Sequence, residues 1–293
     1  RKLNKKIFIF ILNGLVTNEL KYIRKFNLIP VINNLAQLKK IEKYQKENNC
    51  FLNIAIHFDT GMSRLGLDQN ESKNLIKYKA TMIKRSKVRL IMSHLSCADD
   101  KKSKLNKIQL NKFNFIKSHF PDCLCSLSNS AGILLGKKYH FDMVRPGISL
   151  YGGQCQINEK IIYKNVVSIK AKLIQIREIY KGDTIGYGAT FKAKSKMKIG
   201  TLGFGYADGF NRLFSNNYKI LLGDKKINLV GRVSMDLITI DLTNIKTKKN
   251  IMNEEFEVIG SQYSINNIAK LINTIPYEIL TNLGKRYERR YIS

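Results

Sequence analysis

A chain of 293 residues with 44% hydrophobic and 10% aromatic side chains can bury a large core, which excludes a disordered protein. Its formal charge of +29 raises nucleic-acid binding, yet the excess is mostly lysine spread along the whole chain. The short runs Lys101-Lys102 and Lys246-Thr247-Lys248-Lys249 carry no interleaved aromatics, so a solvated surface is the better reading and no nucleic-acid partner is expected.

The chain opens with Arg1-Lys2-Leu3-Asn4-Lys5-Lys6 ahead of an apolar run at 7–12, which imitates a signal peptide. The run is short and meets Asn13-Gly14 without a small-residue cleavage site, so it reads as a buried strand. No segment approaches transmembrane length, so no membrane partner is expected. Up to residue 150, strands are predicted at 7–12, 28–32, 54–58, 88–92, 124–127 and 143–150, with amphipathic helices at 35–46, 71–83 and 105–118. This β-α-β-α order predicts an α/β parallel sheet of the (β/α) barrel type over 1–158. Beyond about residue 160, short strands at 166–176, 198–204, 219–222, 228–230, 237–242 and 257–259 alternate with Gly, Asp and Asn turns. They predict an all-β domain over 159–293, closed by a helix at 265–271. The five cysteines (Cys50, Cys97, Cys123, Cys125 and Cys155) lack paired zinc spacing and predict no metal, only buried thiols in a reducing cytoplasm.

Each early strand hands over to a polar group at its C-terminal end: Asp59-Thr60-Gly61-Met62-Ser63-Arg64, Ser93-His94, Ser128-Asn129-Ser130 and Arg145-Pro146-Gly147-Ile148. A barrel gathers its chemistry at these ends, and its late loops commonly hold phosphate. Arg145, the glycine at 147 and the hydroxyl and amide at Ser130 and Asn129 would suit an anionic, phosphate-bearing ligand. His94 closes a strand and is either structural or part of that mouth, and Asp59 is either a site residue or a helix cap. In the second half, Gly186-Tyr187-Gly188, Gly205-Tyr206-Ala207-Asp208-Gly209 and Gly231-Arg232-Val233-Ser234-Met235-Asp236 are compact turns, each weak alone.

Together, in order and over nearly the whole chain, these phrases closely resemble alanine racemase, a fold-type III pyridoxal-phosphate enzyme with a barrel and a β domain. The resemblance implies racemisation of L- and D-alanine by two-base transfer of the Cα proton, supplying D-alanine for peptidoglycan in the cytoplasm. It implies Tyr187 as one acid/base, reaching the partner subunit's cofactor in a homodimer with shared sites, and Arg145 on the pyridine nitrogen. Ser130 and the backbone of Gly147 and Ile148 match the phosphate cradle, and His94 and Asn129 match groups around the ring and the arginine. Arg64, Met235 and Asp236 match substrate-side positions, and Tyr206 an entrance-lining tyrosine. A tyrosine acting near neutral pH needs cationic neighbours, and an Arg145–His94 chain is the expected source.

The family's second base is the lysine that holds the cofactor, in a phrase like Lys-Ala-Asn-Ala-Tyr-Gly, and no such phrase stands in the sequence. The 7–12 run resembles the family's third strand, so an incomplete barrel, exposed sheet edges and an inactive isolated chain are the expectation. His57 stands where many members carry a lysine that becomes carbamylated and orients the substrate-side arginine. Ser126 replaces a histidine found in some members, and Lys285 falls where some have a phosphate-contacting tyrosine. Two other readings are a non-catalytic cofactor-binding remnant and a basic nucleic-acid-binding protein.

Overall fold

The computed structural model describes residues 4, 6–15, 19–157, 159–160, 162–246, 250–260 and 262–292. The basic start and the lysine run at 247–249 therefore lie largely outside the described residues. The chain divides into two compact units, one of Arg1–Gly147 with Cys155–Glu159, the other of Ile148–Gln154 with Lys160–Ser293.

The first unit alternates strands and helices: β1 (Phe10–Ile11), α1 (Leu20–Phe26), β2 (Ile29–Ile32), α2 (Leu35–Glu47), β3 (Leu52–His57), α3 (Gln69–Lys77), α4 (Lys79–Met82), β4 (Ser86–Met92), α5 (Lys104–Ser118), β5 (Leu124–Ser126) and α6 (Ser130–Ile133). The strands form one parallel sheet in the order β1-β2-β3-β4-β5, part of a (β/α) barrel as the sequence predicts. Local chemistry starts the helices. Asn34 accepts a bond from the Gln37 N–H at the head of α2, and Asp68 from the Glu71 N–H at the head of α3. The predicted helix at 71–83 is broken at Tyr78, because the apolar spacing runs through a turn that the backbone does not.

One predicted strand fails. At 143–150 there is a single parallel bridge, Asn129 to Arg145, and then a 3-10 turn over Ile148–Tyr151. Pro146 has no N–H to continue the ladder and fixes its own φ, so the strand stops as it begins. The 7–12 strand shrinks to Phe10–Ile11.

The second unit holds β6 (Ile169–Ile179), β7 (Thr184–Ile185), β8 (Phe191–Lys192), β9 (Met197–Leu202), β10 (Lys219–Leu222), β11 (Lys225–Asn228), β12 (Ile238–Asp241), β13 (Glu255–Ile259), α7 (Ile265–Leu271) and α8 (Pro276–Thr281). Six strands form an antiparallel sheet in the order β11-β10-β13-β6-β9-β12, and β7-β8 form a separate pair. Along β6, Ile169, Ala171 and Leu173 are buried while Lys170 and Lys172 face solvent, the period-2 pattern of a sheet with one covered face. The strand expected at 228–230 is instead the return limb β11, since Gly223 adopts φ 56° and closes a two-residue hairpin with Asp224. Leu229 then bridges Ile240. Phe204, Phe210, Phe214 and Tyr218 pack ring on ring, with Phe210 and Phe214 centroids 4.6 Å apart, and the buried Tyr218 hydroxyl donates to the Val258 carbonyl at 2.6 Å.

Candidate active site

The polar groups of the first unit follow the C-terminal ends of consecutive parallel strands: Asn33 after β2, His57 and Asp59 at β3, Ser93 and His94 after β4, and Asn129 and Ser130 after β5. Neighbouring strands in parallel register bring their ends to one edge of the sheet, and this convergence builds a site from residues distant in sequence.

Arg145 is the anchor. Its guanidinium donates to the Ser126 hydroxyl, to the carbonyls of Ser93 (2.6 Å) and Leu127 (3.3 Å), and lies 3.4 Å from His94 Nδ1. Its own N–H donates to the Ser128 carbonyl at 2.9 Å. Burial lowers Arg145 to about 10, so it stays charged at neutral pH. Ser126, read in the sequence as a mere replacement, is therefore the hydroxyl that seats the arginine.

His94 stands between two donors. Arg145 reaches Nδ1, while Asn129 Nδ2 lies 3.3 Å from Nε2. Asn129 cannot turn its oxygen to the ring, because that oxygen caps α6 by accepting from the Gly132 N–H at 2.9 Å. A neutral imidazole has one bare nitrogen, and the charged arginine takes it; protonation would leave both neighbours facing a proton. Burial first, then the charges of Arg145, Arg64 and His57, lower His94 to about 4. The expected Arg–His chain thus carries one positive charge, on Arg145. His94 is held as a neutral ring.

Ser130 and Gly147 meet beside the arginine, the Gly147 N–H donating to Ser130 Oγ at 2.8 Å. A Cβ built on Gly147 would meet only that oxygen, at 3.9 Å, so the glycine leaves open space in front of the hydroxyl. Gly147 closes the first unit, and Ile148 opens the segment of the second, buried, with its side chain against Gly153.

The 59–67 loop is held from within. Asp59 accepts from the N–H groups of Gly61 (2.8 Å), Met62 (2.8 Å) and Ser63 (3.0 Å). Burial works to raise this carboxyl, but the three backbone bonds outweigh it and hold it below its ordinary value. Asp59 is a loop cap, and it leaves Arg64 exposed and without a hydrogen-bond or ion-pair partner among the described residues. Thr60 Oγ1 lies 2.7 Å from Ser93 Oγ, and Gln109 on α5 donates to Thr60 Oγ1 (3.2 Å) and the His94 carbonyl (2.9 Å). Gln109 was missed in the sequence, where its signal was a polar residue on the apolar stripe of the 105–118 helix. Asn33 was missed as well, because nothing local marks it.

In the second unit Gly186 (φ 69°) and Gly188 (φ 71°) flank Tyr187, which is 73% exposed with no hydrogen bond to its phenol among the described residues. The turn lies on Arg232: a Cβ on Gly188 would stand 3.0 Å from its Nη1. The two remaining turns are zipped together, Tyr206 N–H donating to the Ser234 carbonyl (3.0 Å) and Ala207 N–H to the Met235 carbonyl (2.9 Å). Tyr206 and Met235 are both exposed. Asp236, read as a substrate-side residue, has its carboxylate paired with Arg286 at 2.7 Å, and Arg286 also reaches the largely buried Asp208 at 3.4 Å. Neither arginine was singled out from the sequence. Arg232 sat inside a turn phrase, and Arg286 in a tail whose alignment was loose. No cluster of three or more metal-binding side chains occurs among the described residues.

Comparison with known proteins gives a consistent answer. The profile described as "Alanine racemase, N-terminal domain" matches residues 1–155, and "Alanine racemase, C-terminal domain" matches 166–291. The chain is 41% identical over 292 residues to the alanine racemase of Rickettsia bellii (strain RML369-C), covering 99% of this chain and 71% of that protein. Among solved structures it is similar to the alanine racemase of Bartonella henselae with covalently bound pyridoxal phosphate, with a TM-score of 0.91 and 35% identity, covering 99% of this chain and 80% of that one. The biosynthetic alanine racemase of Pseudomonas aeruginosa gives a TM-score of 0.87 and 30% identity, over 100% and 81%.

Proposed function

Because this chain belongs to the alanine racemase family, we propose that it interconverts L- and D-alanine with pyridoxal phosphate, in the cytoplasm, and so supplies D-alanine for peptidoglycan. The observation that carries the reading is the Arg145 anchor with the Ser130–Gly147 pair beside it, a cation next to a hydroxyl that the Gly147 amide already bonds. That donor set fits a phosphorylated pyridine, and the glycine at position 147 leaves open space in front of the Ser130 hydroxyl for it. When bound, the cofactor withdraws the electron pair left at Cα once its proton has gone.

The chain's own residues supply the rest. Ser130 and the backbone of Gly147 and Ile148 hold the phosphate. Arg145 would face the pyridine nitrogen and, because it cannot readily surrender its proton, would leave that nitrogen unprotonated and limit side reactions. His94 and Asn129 fix Arg145 in place. Arg64 pairs with the substrate carboxylate, Met235 and Asp236 take substrate-side positions, and Tyr206 lines the entrance. Tyr187 moves the Cα proton on one face. The exposure of that phenol in a single chain favours a homodimer in which each tyrosine serves its partner's cofactor. The second proton carrier of the family, a lysine, has no matching phrase within residues 1–293.

The test uses protein expressed from its complete reading frame, loaded with pyridoxal phosphate and incubated with L-alanine in heavy water. Formation of D-alanine with deuterium at Cα is expected. Tyr187→Phe should remove at least about 99% of turnover, the scale of a lost general base, while the bound cofactor keeps its absorbance. Wild-type turnover in that variant would overturn the base assignment, and no D-alanine from the wild type would overturn the racemase reading.

A further inference from the structure

A phenol that must meet a proton within hydrogen-bond reach needs its loop held, and Tyr187 stands on an exposed turn between two left-handed glycines. After them Ala189 is left-handed as well, at φ 49°, and its N–H returns to the Gly186 carbonyl at 3.3 Å. This turn lies along the 231–236 turn that carries Met235. A Cβ on Gly186 would stand 3.6 Å from the Arg232 backbone nitrogen, and one on Gly231 would stand 2.8 Å from Ile185 Cγ2. Contact alone between exposed loops fixes a separation poorly.

Asn216 supplies the tie. It lies just beyond the 3-10 turn Arg212–Phe214 and takes φ 56°, a left-handed value that asparagine tolerates better than most residues. Its backbone N–H donates to the Gly231 carbonyl at 3.2 Å, and its Oδ1 accepts from the Gly231 N–H at 2.6 Å. The other end of the amide, Nδ2, donates to Thr190 Oγ1 at 3.2 Å and to the Thr190 carbonyl at 3.5 Å. Turning the amide over would set N–H against N–H at Gly231 and oxygen against the Thr190 carbonyl, so its orientation is fixed. Beside it, Ser215 Oγ accepts from the Val233 N–H at 3.0 Å and donates to the Arg212 carbonyl at 2.6 Å. The 231–233 backbone is thus gripped by two neighbouring side chains, and one of them also reaches the end of the Tyr187 turn.

We propose that Asn216 is a positioning residue for Tyr187, its amide setting the separation between the Tyr187 turn and the 231–236 turn. The role rests on the racemase reading for what Tyr187 does; the link between the turns does not. Asn216 acts through Thr190 on the loop that carries the phenol. A slack loop misplaces one proton carrier and leaves the carrier on the opposite face of Cα where it was, so the damage is one-sided.

The experiment uses the cofactor-loaded protein from its complete reading frame, with L- and D-alanine deuterated at Cα, in Asn216→Gly and in Thr190→Val. Glycine keeps the left-handed backbone and its N–H, so only the amide is lost, and valine keeps the shape of threonine without its hydroxyl. Asn216→Gly should lower kcat about tenfold or more with little change in KM, and Thr190→Val should do the same to a smaller extent. The isotope effect on kcat should rise for one enantiomer and fall for the other, because only the Tyr187 step has slowed. Hydrogen–deuterium exchange without substrate should quicken at 186–190 in both variants, and at Gly231 in Asn216→Gly alone. Wild-type turnover in Asn216→Gly, lowered turnover with both isotope effects unmoved, or unchanged exchange at 186–190 overturns the proposal. If Asn216→Gly does not fold, Thr190→Val decides on the same readings. A wild type that makes no D-alanine, with the exchange pattern as expected, would sink the racemase reading and leave the link between the turns standing.

Discussion

Lowering the pH from 7 to 5 should destabilise the first unit well before its carboxylates titrate, because two of its four-residue complement of histidines are built to stay neutral. Burial first, and then mainly arginine charge, puts His57 and His94 at about 4 in the folded chain, against 6.5 when unfolded. Above pH 6.5 both states hold uncharged rings and the difference has no effect. Below it the unfolded chain binds protons that the folded chain refuses, so stability falls as pH falls, and the loss is complete near pH 4, where the folded rings also charge. A gap of about 2.5 pH units at ~1.36 kcal/mol each gives roughly 3 kcal/mol per ring in full, and roughly 2 kcal/mol per ring at pH 5. The two rings together remove on the order of 4 kcal/mol, a large part of a domain's usual stability. Asp59 acts in the same direction but lower, its contribution being lost only as pH drops through its depressed folded value. The assay is urea unfolding by circular dichroism at both pH values, with proton uptake measured at pH 5, where unfolding should bind about two extra protons. His57→Gln and His94→Gln should each remove about one. If the double variant takes up as many protons as the wild type, these rings are not the acid-sensitive groups and the reasoning fails.

Other perturbations probe the loops and the cradle. Ser130→Ala removes the hydroxyl beside the Gly147 amide and should weaken cofactor binding by about tenfold, read from cofactor absorbance during titration. Gly205→Ala places a Cβ 2.3 Å from the Met235 carbonyl oxygen and 2.4 Å from that of Ser234; neither backbone atom can yield, so a loss of about 2–3 kcal/mol or more in chemical denaturation is expected. Asp59→Ala frees three backbone N–H groups of the 59–67 loop and should cost about 1–2 kcal/mol. It should also speed tryptic cleavage after the exposed Arg64, and an unchanged cleavage rate would show that the carboxylate does not hold the loop.

What the sequence determined by itself is the alternation of elements and the candidate residues at strand ends and close turns. Apolar periodicity located α2, α5 and α7 to within a residue or two, because each buries one stripe of side chains whatever else the fold does. The phrases around Asp59, Asn129, Arg145, Tyr187 and Met235 are weak one by one, and it is their order along the chain that marked them as candidates. The tertiary structure decided everything that depends on neighbours distant in the chain. It ended the strand after Arg145, where the proline left the ladder without a donor, and it committed Asp236 to Arg286. It made His94 neutral by setting it between two donors, and it fixed the tautomer of His57 through Asn33, a residue 24 positions away. Protonation state and hydrogen-bond direction are set by burial and by which groups face one another across strands, and neither is encoded in any short stretch of residues.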